Sequence, residues 1–175
     1  APAGGEWSAP ARAPVPRAVP AAALAFDADL SADGTAMIAW TAGAAGRHRV
    51  WWSMAGPSGR WPASSAVLPQ TIPGARVEAL RLTAGGDAVV LWSTTRGLAG
   101  ASRAAGRHWT ADGTVPGAPG RGRADRSPVQ VMTDRVNQVA VAWVLRGDVA
   151  LTVRPASGAP APSGRFGGRG AMPAA

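Results

Sequence analysis

Gly34-Thr35-Ala36-Met37-Ile38-Ala39-Trp40 decides the reading of this chain, because two later stretches repeat it: Gly86-Asp87-Ala88-Val89-Val90-Leu91-Trp92 and Asn137-Gln138-Val139-Ala140-Val141-Ala142-Trp143. Their tryptophans stand 52 and then 51 residues apart. A fixed period of this length marks stacked structural units. A second series runs out of phase with the first, in Gly5-Glu6-Trp7, Gly59-Arg60-Trp61 and Gly106-Arg107-His108-Trp109, with tryptophans 54 and 48 residues apart. Two landmarks recurring together make the repeat real.

Each first-series tryptophan closes a run in which alternate side chains point to opposite sides of a strand. One side carries Ala36, Ile38 and Trp40 and the other Met37 and Ala39, with equivalents in the later copies. Both sides are apolar, so both must be covered, as happens when sheets stack face to face. A short apolar stretch precedes each copy: Ala22 to Phe26, Val77 to Leu82 and Val129 to Met132. The intervening residues are turn formers, Ser31-Ala32-Asp33-Gly34, Ala84-Gly85-Gly86 and Asp134-Arg135-Val136-Asn137. Each pair therefore reads as a hairpin. A third strand is expected over Arg49 to Met54, Leu98 to Arg103 (the weakest) and Asp148 to Arg154, and a fourth from Trp61 or Trp109. Four antiparallel strands in about 50 residues match one blade of a β-propeller.

The expected architecture is all-β, with four-stranded antiparallel blades of a β-propeller over residues 1–156. The units fall at about 19–70, 75–118 and 127–156, and a β-sandwich is the alternative. The last unit lacks its fourth strand, and Trp7 to Val15 is expected to supply it. Three blades fall short of the four or more that a closed ring needs. The chain is then a partial propeller, an open array, or one of several copies that associate. Residues 157–175, centred on Gly164-Arg165-Phe166-Gly167-Gly168-Arg169-Gly170, read as a disordered tail.

The units resemble the repeats of secreted β-propeller-like proteins of actinobacteria, through G-x-A-x-x-x-W followed by aG-x-W-s-a-P. The resemblance covers Gly5 to Arg154. It implies fold and export, and an extracellular or cell-envelope location, without implying an activity. Ser31-Ala32-Asp33-Gly34-Thr35 also looks like the start of the S-x-D-x-G-x-x-W box of sialidase-type propellers. The match then fails, because counting from Ser31 the glycine and tryptophan of the box fall on Thr35 and Ile38. A polar hairpin turn is the simpler account.

Composition narrows the chemistry. The 175 residues include 23 Gly and 16 Pro, which suits short strands and turns. There is no cysteine and no tyrosine, and all 18 basic residues are arginine. Disulfides, thiolate metal sites and cysteine or tyrosine nucleophiles are therefore excluded from this sequence. No Walker loop can form without lysine. The only histidines, His48 and His108, occupy different parts of their repeats, and neither forms a close pair with a carboxylate. No metal or cofactor is expected. Glu6, Glu78 and eight aspartates supply carboxylates, but Asp33, Asp87, Asp112 and Asp134 read as turn residues rather than a glycosidase pair. No apolar run approaches the roughly 20 residues of a membrane span. The chain begins Ala1-Pro2-Ala3, without an initiator methionine, as a processed exported protein or a piece of a longer one would.

Trp40, Trp92, Trp143, Trp7, Trp61 and Trp109 are expected to be packing residues, since fixed strand positions suit burial. Trp51 and Trp52 adjoin on one strand, so they face opposite ways, and Trp51 is taken as a candidate contact. The net charge of +8 favours anionic partners. In a blade, the loops after the second and fourth strands emerge at one end of the sheets. That end would receive Arg17, Arg47, Arg49, Arg76, Arg96, Arg121, Arg123, Arg126 and Arg146, against Asp125 and Asp148. The sequence thus points to a non-catalytic binding or scaffold module that recognises an anionic glycan, wall polymer or protein through an arginine-rich end. A GC-rich coding bias explains the arginines equally well. Two alternatives stand beside this one. The chain could be a fragment of a larger propeller enzyme of the sialidase or glycoside-hydrolase type, or bind nucleic acid through Gly120-Arg121-Gly122-Arg123 and the tail. No aromatic series interleaves with those arginines, which weighs against nucleic acid.

Overall fold

The computed structural model describes residues 25–44, 46–118, 120, 129–134, 138–145 and 148–155. Every regular element among them is a β-strand. The first sheet contains β1 (Ala25–Leu30), β2 (Ala36–Ala44), β3 (Arg47–Ala55), β4 (Ser65–Ala66) and β5 (Ile72–Pro73). The second contains β6 (Arg76–Leu82), β7 (Ala88–Ser93), β8 (Leu98–Arg103) and β9 (Thr110–Thr114). The third contains β10 (Gln130–Thr133), β11 (Gln138–Leu145) and β12 (Asp148–Pro155). Each sheet is an antiparallel meander in chain order, with β5 added to the edge of β3 beyond β4.

The first hairpins of the three sheets share one pattern of closing bonds. The backbone N–H at the start of each turn donates to the carbonyl four residues on: Ser31 to Thr35 at 2.9 Å, Thr83 to Asp87 at 2.9 Å and Asp134 to Gln138 at 3.1 Å. In the first two, Gly34 and Gly86 supply the positive φ that the turn requires, 85° and 83°. The polar side chain that opens each turn bonds within it, from Ser31, Thr83 and Asp134 respectively. The turn chemistry survives although the sequences differ.

Two apolar layers join the sheets. Met37, Ala39 and Val50 of the first sheet pack with Val77, Leu80, Leu82, Ala88, Val90, Trp92 and Ala101 of the second. On its other side the second sheet sends Ala79, Val89, Leu91 and Leu98 against Val131, Val139, Val141 and Trp143 of the third. The side of each later sheet that carries the repeated tryptophan therefore lies on the opposite side of the sheet before it. Leu98–Arg103, the weakest strand in the sequence, is paired on both edges by β7 and β9 and largely buried.

Two bulges shift the pattern. The β6–β7 register slips between Val77 and Ala79, leaving Glu78 as the extra residue and bringing Val77 and Leu80 to the same side. The β8–β9 register slips at Gly100/Ala101, where Asp112 is extra. In both, a serine of the neighbouring strand donates to the bulged carboxylate: Ser93 to Glu78, and Ser102 to Asp112 at 2.7 Å. Asp112 thus belongs to a strand bulge and not to the turn expected of it.

β1 also differs from expectation. Among the described residues it spans Ala25–Leu30, four residues past the end of the expected Ala22 to Phe26, and its polarity is inverted. Asp27 and Asp29 turn toward the second sheet while Phe26 and Leu30 face outward, exposed. The acids cap a strand edge: Asp27 accepts the Leu80 N–H and Asp29 the Leu82 N–H, each at 2.8 Å. Both donors lie on the edge of β6 that no strand among the described residues pairs. Buried unpaired N–H groups are costly, which accounts for aspartates in a strand that would otherwise disfavour them. The expected strand at Trp7 to Val15 and the tail from 157 lie outside the described residues.

Candidate arginine-rich end

Arg47, Arg76 and Arg96 are exposed at one end of the first two sheets. Arg47 opens β3 and pairs with Pro73; Arg76 opens β6 and pairs with Ser93; Arg96 sits in the turn between β7 and β8. One hydrogen bond and one close approach bring the parts of this end together. The Gly74 N–H donates to the Gly46 carbonyl at 3.1 Å, and a Cβ built at Gly74 would lie 3.7 Å from the Thr95 methyl. Thr94 shapes the Arg96 turn by accepting the N–H groups of Arg96 and Gly97 at 3.1 and 3.2 Å.

Arg49 is different from these three. It lies within β3, half-buried, with its guanidinium carbon 5.6 Å from the centre of the Trp51 ring. That geometry is a cation–π contact. Trp51 pairs with Trp40, so both point to the outer side of the first sheet. Arg17, Arg121, Arg123, Arg126 and Arg146 lie outside the described residues, as does Trp7.

Trp40, Trp92 and Trp143 are buried, and Trp61 and Trp109 half-buried. Trp52 packs edge-on against Trp109, with ring centres 5.7 Å apart and planes at 73°. Arg103 lies over the other part of this group, 4.7 Å from the Trp52 ring centre. Its Nε donates to the Arg107 carbonyl at 2.8 Å, and it is only 7% exposed. Burial lowers its pKa from the ordinary arginine value. Sequence reasoning passed over Arg103, because an arginine ending a short strand looks like any other loop cation. The signal available was local: it ends a strand whose other residues, Leu98 to Ser102, are all apolar or small.

The opposite end carries the Asp33 and Asp87 turns, with Arg60 and Arg107 exposed in the connections from β3 to β4 and from β8 to β9. Asp33 accepts from Ser31, from the Thr35 N–H at 2.9 Å and from the Thr35 hydroxyl at 3.1 Å. These bonds, Ser31 first, hold its carboxyl below the ordinary value. Asp87 accepts the Ala105 N–H at 2.9 Å, linking two turns of the second sheet. Among the described residues no three His, Cys, Asp or Glu side chains group as metal ligands would. No described helix is long and apolar enough to cross a membrane.

No family model, curated protein or solved structure matches this chain.

Proposed function

We propose that the three sheets are blades of a propeller-type repeat protein, exported and non-catalytic, that binds a polyanion at its arginine-rich end. The observation that carries the reading is that Arg47, Arg76 and Arg96, distant in sequence, are all exposed at one end of adjacent sheets. Guanidinium groups suit carboxylate, sulfate or phosphate ligands because each offers a planar pair of donors. Chains of repeated anions, such as acidic glycans or phosphate-rich wall polymers, engage several such groups at once. The head-to-tail packing of the repeated tryptophan sides supports the blade assignment.

Retention on immobilised heparin and on a neutral glycan, across a salt gradient, tests the function. The expected result is retention on heparin alone, weakened by salt and by the triple substitution Arg47→Ala, Arg76→Ala, Arg96→Ala. Equal retention on both supports, insensitive to salt, would overturn it.

A further inference from the structure

We propose that the outer sides of the first and third sheets are the two halves of one interface, filled by a second copy of this chain docked head to tail. The proposal rests on the blade reading above and is independent of the polyanion.

Among the described residues, the exposed large hydrophobics are Phe26, Leu30, Met132 and Val153, at 69%, 67%, 57% and 38% exposure. All four stand on the two terminal sheets. Phe26 pairs with Trp40 and Leu30 with Ala36, so both share the outer, tryptophan-bearing side of the first sheet. Met132 and Val153 both pair with Ala140, which puts them on the side of the third sheet opposite Val139, Val141 and Trp143. Two large apolar side chains exposed on the same side of one sheet suit a contact surface.

The chain itself shows what covers such sides. The tryptophan-bearing side of the second sheet lies on the opposite side of the first, and that of the third on the opposite side of the second. The positions of Phe26 and Leu30 correspond to Val77 and Leu82 of β6, paired with Trp92 and Ala88, and these are buried. Ala140 and Ala142 correspond likewise to Met37 and Ala39 and to Val89 and Leu91, each of which receives the next sheet. The two end surfaces are thus the two kinds that meet twice inside the chain. Docking one copy's third sheet on another copy's first repeats that pairing along β1, where Phe26 and Leu30 are exposed, and not over Trp40, which is already covered.

The β1 edge agrees. Leu80 and Leu82 give their N–H groups to aspartates of the preceding sheet, whereas the equivalent Ala28 and Leu30 fold theirs onto their own Asp27 and Asp29 at 2.9 Å. Gln130 occupies the Asp27 position on the third sheet, since it pairs with Ala142 as Asp27 pairs with Ala39. A second copy would therefore bring an amide oxygen toward that edge. Trp40, between Phe26 and Trp51, is already buried, so the new contact forms on the Phe26 and Leu30 flank. Two copies using the interface twice close about a two-fold axis, and their six sheets fall within the roughly four to eight of propeller rings.

Light scattering coupled to size-exclusion chromatography, on the wild type, Phe26→Asp and Met132→Asp, tests the proposal, with circular dichroism as the check on folding. The wild type is expected at twice the 17.6 kDa chain mass. Each variant is expected to be monomeric while folded, and an equimolar mixture to form pairs again, because each keeps the half that the other has lost. A monomeric wild type, in which the chain covers its own ends, would overturn the proposal. So would loss of the dimer in Phe26→Asp alone, which means that like sides dock together, or a dimer that survives both changes. Where a variant is unfolded, Phe26→Ser and Met132→Ser decide by the same rule. Heparin retention has no bearing on these outcomes, so the two readings fail separately.

Discussion

Asp27 accepts a hydrogen bond from the Arg81 guanidinium at 3.0 Å, and the same carboxylate oxygen takes the Leu80 backbone N–H at 2.8 Å. Arg81 continues across β6, donating its Nε to the Val131 carbonyl of β10 at 2.9 Å. One arginine on the middle strand therefore reaches the first strand of all three sheets. The ion pair itself is about one-third exposed, so its own worth is small, roughly 0–1 kcal/mol. The larger quantity is the acceptor lost to Leu80. Asp27→Asn keeps an oxygen for that N–H and is expected to cost under about 1 kcal/mol, whereas Asp27→Ala orphans it and costs about 1–3 kcal/mol. Urea unfolding of both variants checks this order, and an equal cost for both would show that the carboxylate acts only through its charge.

Arg103 offers a second test. A buried guanidinium is tolerated because Trp52 presents a ring face and Arg107 a carbonyl. Lysine keeps the charge but loses the flat stack, so Arg103→Lys is expected to destabilise by about 1–2 kcal/mol. Trp52→Leu should remove most of the difference between arginine and lysine. The double-mutant cycle in urea measures that coupling, and an additive result would place the stabilisation in the carbonyl bond instead.

Why some of this was legible in sequence and some not comes down to period. The runs ending in Trp40, Trp92 and Trp143 alternate without interruption, so hairpins and turns could be read from them, but the expected burial on both sides holds throughout only for the Trp92 run; Ala36, Ile38, Ala140 and Ala142 are half-buried. β6 could not be phased, because Glu78 adds a residue that only pairing with β7 reveals. β1 misled for a different reason. Its apolar residues face outward and its aspartates inward, the reverse of the usual rule, because the acids serve an unpaired edge in another sheet. The arginine-rich end was partly legible: topology brings Arg47, Arg76 and Arg96 together, but Arg49 lies within a strand against Trp51. Long-range partners such as Arg103 with Trp52 leave no local pattern.

Gly100 shows how tightly β7 and β8 are packed on the side of the second sheet that faces the third. A Cβ there would lie 2.6 Å from Cδ2 of Leu91 and 3.2 Å from the Val90 carbonyl oxygen. The leucine is a movable end in principle, but it is buried between sheets and has little room. Gly100→Ala is expected to cost about 1–3 kcal/mol as overpacking. Leu91→Val shortens the side chain that the new methyl meets, so the pair should cost less than the sum of the singles. Thermal unfolding of the four proteins checks this, and strict additivity would mean that the carbonyl contact dominates.

The Asp33 turn gives a pH prediction of definite sign. Its carboxyl is held below the ordinary value of 3.8 by Ser31 first and then by Thr35, so the folded state binds its proton less readily than the unfolded chain. Whatever the turn contributes through Asp33 is therefore fully present above the unfolded value and is lost as pH falls through the lower, folded one. The group is fully exposed, so the effect is read best at the site itself. In a carboxyl-selective NMR titration the Asp33 midpoint should lie below that of an unstructured aspartate. Ser31→Ala removes the leading donor and should raise the midpoint, while Thr35→Val, which keeps the backbone N–H, should raise it less. A midpoint unmoved by Ser31→Ala would mean that the Thr35 N–H and hydroxyl hold the charge, and with it the turn that sets β1 against β2.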